Sequence, residues 1–138
     1  MIDSHHHLWK YDPKEYGWIG NNMEVLKKDF FPADLKREMD EAGITGTVAV
    51  QARQTIEETE WLLQLAQEND FIRGVVGWVP LIDKNVGATL ERLSRNKKLR
   101  GVRHVLQDEP DDRYMLRGDF QHGIAALRPF GLVYDILI

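Results

Sequence analysis

The chain has 138 residues, of which 18 are lysine or arginine and 22 are aspartate or glutamate, so its formal net charge is −4. Its hydrophobic fraction of 43% is enough for one buried core and argues against disorder. A chain with this charge has no overall positive field. We therefore expect neither nucleic acid nor an anionic membrane surface as a partner.

The absence of cysteine limits the possible metal ligands, and the absence of a long apolar stretch bears on where the protein is found. The sequence contains no cysteine, which leaves histidine, aspartate and glutamate as the strong metal ligands. No stretch approaches the roughly 20 apolar residues that span a bilayer, and the first residues lack the basic and apolar regions of a secretion signal. We therefore expect a cytoplasmic protein.

Short apolar runs alternate with stretches of helical periodicity along the chain. Residues 1–8 supply a short first strand. Pro32 suits the first position of a helix, which Gly43 can end in a left-handed conformation. The continuously apolar run at residues 46–51 is typical of a parallel strand that is covered on both faces.

The same alternation continues to the last residue. Thr55 and Glu58 have the spacing of a capping box at the start of the second helix. Two more helices follow, and Gly131 closes the last of them. Their apolar positions are Val86, Leu90 and Leu93 in one helix and Phe120, Ile124 and Leu127 in the other. Further apolar strands are predicted at residues 72–79, 99–106 and 132–138.

The spacing of these elements predicts the fold. Strand starts recur about every 30 residues, the size of one βαβ unit, and right-handed crossovers lay all the strands parallel in one sheet. The last apolar run has no covering helix after it, as expected for a closed barrel that is cut near its middle. We predict an α/β fold of the partial (β/α)8 TIM-barrel type with about five parallel strands. Residues 1–138 would form the amino-terminal portion of a single barrel domain.

The histidines of the first strand are the clearest chemical signal. Residues two apart on a strand point to the same face, so Asp3, His5 and His7 project together while His6 turns away. Two imidazoles on one side are typical of metal chelation, and barrel active sites lie at the carboxyl ends of the strands. A purification-tag remnant and a purely structural histidine pair are the competing interpretations.

Residues 2–9, Ile-Asp-Ser-His-His-His-Leu-Trp, resemble the first-strand signature of the amidohydrolase superfamily. Residues 48–53, 74–79 and 99–110 resemble its amidohydrolase-related branch, which contains the L-fuconolactonase-like and L-rhamnonolactonase-like proteins. The first-strand motif is shared across the superfamily and indicates fold and metal chemistry. The segment at residues 99–110 indicates the lactonase branch.

This resemblance implies a hydrolase that opens a sugar-derived lactone, with His5 and His7 as metal ligands and catalytic residues. A divalent metal, with zinc the first choice, would polarise the lactone carbonyl or lower the pKa of a bound water toward about 7. Two-metal members of the superfamily place a bridging lysine on the fourth strand, where this chain has Arg103 and His104. The resemblance therefore implies one metal or none.

Residues at the ends of other strands are candidates for binding the substrate, because the active sites of barrels lie there. They are Arg103, His104, Gln51, Arg53 and Trp78. On a regular strand only one of Arg103 and His104 faces the interior. We favour Arg103, whose guanidinium suits a developing oxyanion or a substrate carboxylate. Core filling by Trp78 and a solvated Arg53 are the competing interpretations.

The family also uses a histidine from a later strand and an aspartate from the last strand, for which this sequence offers no counterpart. Asp135 is interpreted as structural. We therefore expect residues 1–138 on their own to lack lactonase activity. The alternatives are a metal-dependent decarboxylase or amide hydrolase on the same barrel, and a non-catalytic half-barrel that pairs with a copy of itself as a homo-oligomer.

Overall fold

Five parallel strands form one sheet in the computed structural model, which describes residues 1–137. The strands are β1 (Ile2–His6), β2 (Gly46–Val50), β3 (Ile72–Gly77), β4 (Leu99–Val105) and β5 (Val133–Leu137). Their order in the sheet is their order in the chain. The α-helices between them are α1 (Pro32–Glu41), α2 (Ile56–Glu68), α3 (Val86–Leu93) and α4 (Gly118–Ala125).

The predicted α/β architecture is confirmed, because the five strands curl into a half-barrel that alternates with helices. The strands β1 to β4 end one or two residues before the apolar runs that predicted them. His7 therefore lies one residue beyond β1, at its carboxyl end. The last run was predicted to reach Ile138, which lies outside the described residues.

The fourth helix is shorter than its apolar periodicity predicts. It ends at Ala125, and Leu127 and Gly131 flank a separate 3-10 turn, Arg128–Phe130. The prediction of one helix that runs to Gly131 is therefore wrong. The physical reason is Pro129, which has no N–H to continue the helical hydrogen-bond ladder. Gly131 ends the 3-10 turn with a φ of 66°.

The main core lies between the sheet and the helices. Its fully buried side chains include Leu62 from α2, Leu90 from α3 and Phe120 from α4, which pack with Val75 and Val102 of the sheet. None of the helices within residues 1–137 is long and apolar enough to cross a membrane.

A second, smaller cluster lies in the long segment between β1 and α1. Trp9, Tyr16 and Ile19 are buried in it. An antiparallel bridge between Trp9 and Phe30 closes the base of this segment, with backbone N–O distances of 3.2 and 2.9 Å. The ring of Trp9 lies 6.5 Å from that of His7. The segment is therefore a folded unit beside the carboxyl end of β1.

The free edge of β5 yields a prediction for the chain expressed as residues 1–138. Within the described residues β5 pairs only with β4, and its Val133 and Ile136 are each 61% exposed. Unpaired apolar edges associate with other chains. We expect self-association or aggregation in size-exclusion chromatography, and a shift toward monomer in Ile136→Lys, because an edge charge opposes pairing.

The matched control is Val25→Lys, which changes a residue that is 72% exposed and lies outside the sheet. This variant should associate like the parent chain. A monodisperse monomer of the parent chain, or equal behaviour of the two lysine variants, would contradict the edge as the site of association.

Candidate active site

Three side chains from different strands meet on the concave side of the sheet. His5 lies on β1, Gln51 follows β2 directly, and Arg103 lies on β4. Since β3 lies between β2 and β4, Arg103 reaches Gln51 across one intervening strand. The curl of the half-barrel therefore brings together residues that are 52 positions apart in the chain.

His5 and His7 point to the same side, as the two-residue period of a strand predicts. Their Nε2 atoms are 3.2 Å apart. Two nitrogen ligands of one tetrahedral zinc ion, each at 2.0 to 2.1 Å from the metal, would be about 3.3 Å apart. The geometry of the pair therefore suits a shared metal ion.

A hydrogen bond to the backbone defines the tautomer of His7. His7 Nδ1 donates to the carbonyl oxygen of Val50 at 2.9 Å, which leaves Nε2 as the acceptor nitrogen of the neutral ring. Burial lowers the pKa of His7, and the charge of Arg103 lowers it further, against the opposing bond to Val50. Arg103 Nη1, which can only donate, lies 3.4 Å from His5 Nε2. The two Nε2 atoms thus face each other, with the Arg103 guanidinium next to that of His5.

Asp3 and His6, the sequence neighbours of this histidine pair, make other contacts. The carboxylate of Asp3, predicted on the same face, accepts the backbone N–H of His5 at 3.1 Å. Across residues 1–137 no group of three or more histidine, aspartate and glutamate side chains is arranged to hold a metal ion. His6 turns away and contacts the Thr47 hydroxyl, and burial lowers its pKa to about 4.

Arg103 is a buried guanidinium, 4% exposed, held by the fully buried Gln51. Its Nε and Nη2 donate to Gln51 Oε1 at 3.0 and 2.7 Å, and Nη2 also donates to the Gln51 carbonyl oxygen. Burial lowers the pKa of Arg103, and the carboxylates of Asp135 and Glu58 oppose that shift. Gln51 thus fixes one edge of the guanidinium while Nη1 is turned toward the histidine pair.

The sequence position of Asp135 predicts a structural role. It is the register partner of Arg103 on the neighbouring strand β5, and residues paired in a parallel ladder lie side by side on one face. Its charge is the first of those that oppose the lowered pKa of Arg103. Asp135 is therefore a half-buried countercharge beside the guanidinium.

His104 faces the other way, into the layer between the sheet and α4. Its ring stacks on Tyr114 at 5.1 Å. Trp78 Nε1 donates to His104 Nδ1 at 3.2 Å, and His104 Nε2 lies 2.6 Å from a carboxylate oxygen of Glu109. Since an indole N–H only donates, Nε2 carries the proton. Trp78 and His104 are thus hydrogen-bonded to each other. Substrate contacts by either side chain stay a prediction.

Arg53, another residue predicted to bind the substrate, contacts the segment between β1 and α1. Its Nη1 forms an ion pair of 2.8 Å with Glu15, and its guanidinium carbon lies 5.7 Å from the centre of the Tyr16 ring. Its backbone carbonyl accepts from Gln51 Nε2 at 3.3 Å. The structure thus links Arg53 to the site through Gln51, and a direct substrate contact remains a prediction.

Sequence reasoning missed the role of Glu58. Thr55 Oγ accepts from the backbone N–H of Glu58 at 3.2 Å, as the predicted capping box requires. The Glu58 carboxylate does not return to Thr55. Its Oε2 instead accepts the backbone N–H groups of Ala52 and Arg53 at 3.0 and 2.8 Å. The place of Glu58 as the third residue of the helix was the sequence signal for a carboxylate that binds backbone N–H groups. The N–H groups that it binds belong to the turn before Thr55, not to Thr55 itself.

Comparison with known proteins identifies the family. Residues 2–138 match the family model described as Amidohydrolase. The chain belongs to this amidohydrolase family. The resemblance expected from residues 2–9 and from the later strand segments is therefore confirmed.

Two relatives of this amidohydrolase chain are named L-fucono-1,5-lactonase. It is 42% identical over 140 residues to the L-fucono-1,5-lactonase of Burkholderia multivorans, covering 99% of this chain and 46% of that protein. The L-fucono-1,5-lactonase of Burkholderia ambifaria is 34% identical over 137 residues, covering 99% and 47%. The chain thus spans about half the length of the curated relatives it matches.

Solved structures show the same relationship. The amidohydrolase chain superposes on a Burkholderia multivorans amidohydrolase with bound zinc at a TM-score of 0.92 and 41% sequence identity. The match covers 99% of this chain and 48% of that one. The half-barrel of this chain therefore corresponds to about half of a solved amidohydrolase chain.

Proposed function

We propose that this chain forms the amino-terminal half of the active site of a hydrolase that opens a sugar-derived lactone. The observation that carries the proposal is the convergence of two imidazole Nε2 nitrogens, 3.2 Å apart, with Nη1 of a buried guanidinium 3.4 Å from one of them. Support comes from the amidohydrolase family and from two relatives named L-fucono-1,5-lactonase.

Arg103 is the electrostatic element of the proposed site. When water adds to a lactone carbonyl, negative charge develops on the carbonyl oxygen, and a preorganised donor in a buried site stabilises it. Gln51 holds Nε and Nη2 and so restrains the guanidinium, and Nη1, which lies beside His5, is the part we propose to meet the substrate. Such orientation before the reaction removes a reorganisation cost from the transition state.

His5 and His7 are the metal-binding element, and their arrangement fits the role. The bond from His7 Nδ1 to Val50 is the outer contact that commonly orients a metal-ligating histidine. With a divalent metal bound, such a centre polarises a carbonyl or supplies hydroxide near neutral pH. Two histidines complete only part of a four-ligand set, so we propose that the remaining ligands and the proton-transferring acid and base come from outside residues 1–137.

The zinc affinity of the histidine pair gives the first test. We expect zinc binding, measured by calorimetry on metal-free protein, to be lost in His7→Ala and kept in His122→Ala, which changes an exposed histidine of α4. Arg103→Met should raise the affinity by about tenfold or more, because a divalent and a monovalent cation about 4 Å apart repel by about 2 kcal/mol even in water. Equal affinities in all these proteins would contradict a site at His5 and His7.

Lactone opening gives the second test, on the protein at the full length of its gene and with L-fucono-1,5-lactone as the first substrate. Arg103→Ala should lower turnover by about 10² to 10³, the usual effect of removing one donor to a developing oxyanion. Arg100→Ala is the matched control, since Arg100 is an exposed arginine on the same strand. An unchanged rate in folded Arg103→Ala protein would assign Arg103 to structure, and residues 1–138 alone should show no turnover.

A further inference from the structure

The carboxylate of Glu58 is isolated from solvent and lies beneath the turn that follows β2. Glu58 as a whole is 0% exposed. Oε2 accepts two backbone N–H groups, from Ala52 and Arg53, while the buried Oε1 has no hydrogen-bond partner among the described residues. A buried carboxyl group is expensive to desolvate, and the cap of α2 uses only the backbone N–H of Glu58, so the position of its carboxylate calls for another purpose.

The contacts of the turn form a continuous path from Glu58 to the site. Glu58 holds the N–H groups of Ala52 and Arg53, and the Arg53 carbonyl in turn accepts from Gln51 Nε2 at 3.3 Å. That bond fixes which side of the Gln51 amide carries the oxygen. The oxygen then accepts from Arg103 Nε and Nη2. The orientation of the guanidinium thus depends on a turn whose backbone Glu58 holds.

We infer that Glu58 is a positioning residue that sets the orientation of Arg103 through the Gln51–Arg53 turn. Its importance for chemistry rests on the function proposed for Arg103, but the positioning itself does not. The mechanism is the reach of one carboxyl oxygen to two N–H groups, rather than the negative charge of Glu58.

Two variants of Glu58 separate reach from charge. Glu58→Gln keeps an oxygen of the same reach and places an NH₂ group at the position of Oε1. It also resembles the protonated acid, and burial raises the pKa of Glu58 to about 7. Glu58→Asp keeps the charge but shortens the side chain by one methylene, so one oxygen no longer spans both N–H groups. We therefore expect Gln to preserve the position of Arg103 and Asp to disturb it.

The experiment follows hydrogen exchange of the Arg103 Nε–H by NMR in full-chain protein with isotope-labelled arginine, the resonance being assigned with Arg103→Lys. We expect slow exchange in the parent and in Glu58→Gln, and exchange about tenfold faster or more in Glu58→Asp, as the loss of a buried hydrogen bond predicts. The control is Ala66→Gly, which weakens the same helix at a buried position away from the turn.

Exchange in Glu58→Asp as slow as in the parent would overturn the inference, and so would equal acceleration in Ala66→Gly. Should Glu58→Asp not fold, the parent protein decides. Its Ala52 and Arg53 amides should exchange through the same opening as the Arg103 Nε–H, with equal dependence on low denaturant, and separate openings would overturn the inference. Because the measurement does not use turnover, a failed lactonase assay would count against the proposed function alone.

Discussion

The geometry of the site depends on the interaction between the Arg103 guanidinium and Gln51. A guanidinium that is 4% exposed must find acceptors inside the protein, because an unpaired buried charge is very costly. Gln51 supplies its side-chain oxygen and its backbone carbonyl to the same edge of Arg103. The opposite edge remains turned toward His5, so the two edges of the guanidinium have different partners.

This interaction also constrains the sheet. Neighbouring strands lie about 4.8 Å apart, so Arg103 on β4 meets a residue beyond β2 only by crossing over the concave face of β3. The backbone N–H of Gln51 is bonded to the Val76 carbonyl at 2.8 Å, which ties the same residue into the strand ladder. The polar contact and the curl of the half-barrel therefore support each other.

The sequence predicts the parts of this structure that depend on local patterns. Continuous apolar runs predicted the parallel strands, and the period of two placed His5 and His7 together and put only one of Arg103 and His104 in the interior. Contacts between distant residues were not predictable. Neither the bond of Glu58 to the turn at residues 51–53 nor the pairing of Asp135 with Arg103 follows from spacing, because each requires the folded chain to bring separate segments together.

The most direct measurement is a double-mutant cycle on the free energy of unfolding with Gln51→Ala, Arg103→Met and the protein that carries both. Hydrogen bonds to a charged group contribute about 1.5 to 3 kcal/mol, so we predict a coupling energy of that size between the two positions. Substitutions that add within about 0.5 kcal/mol would show that the two side chains act independently. That result would contradict Gln51 as the anchor of Arg103.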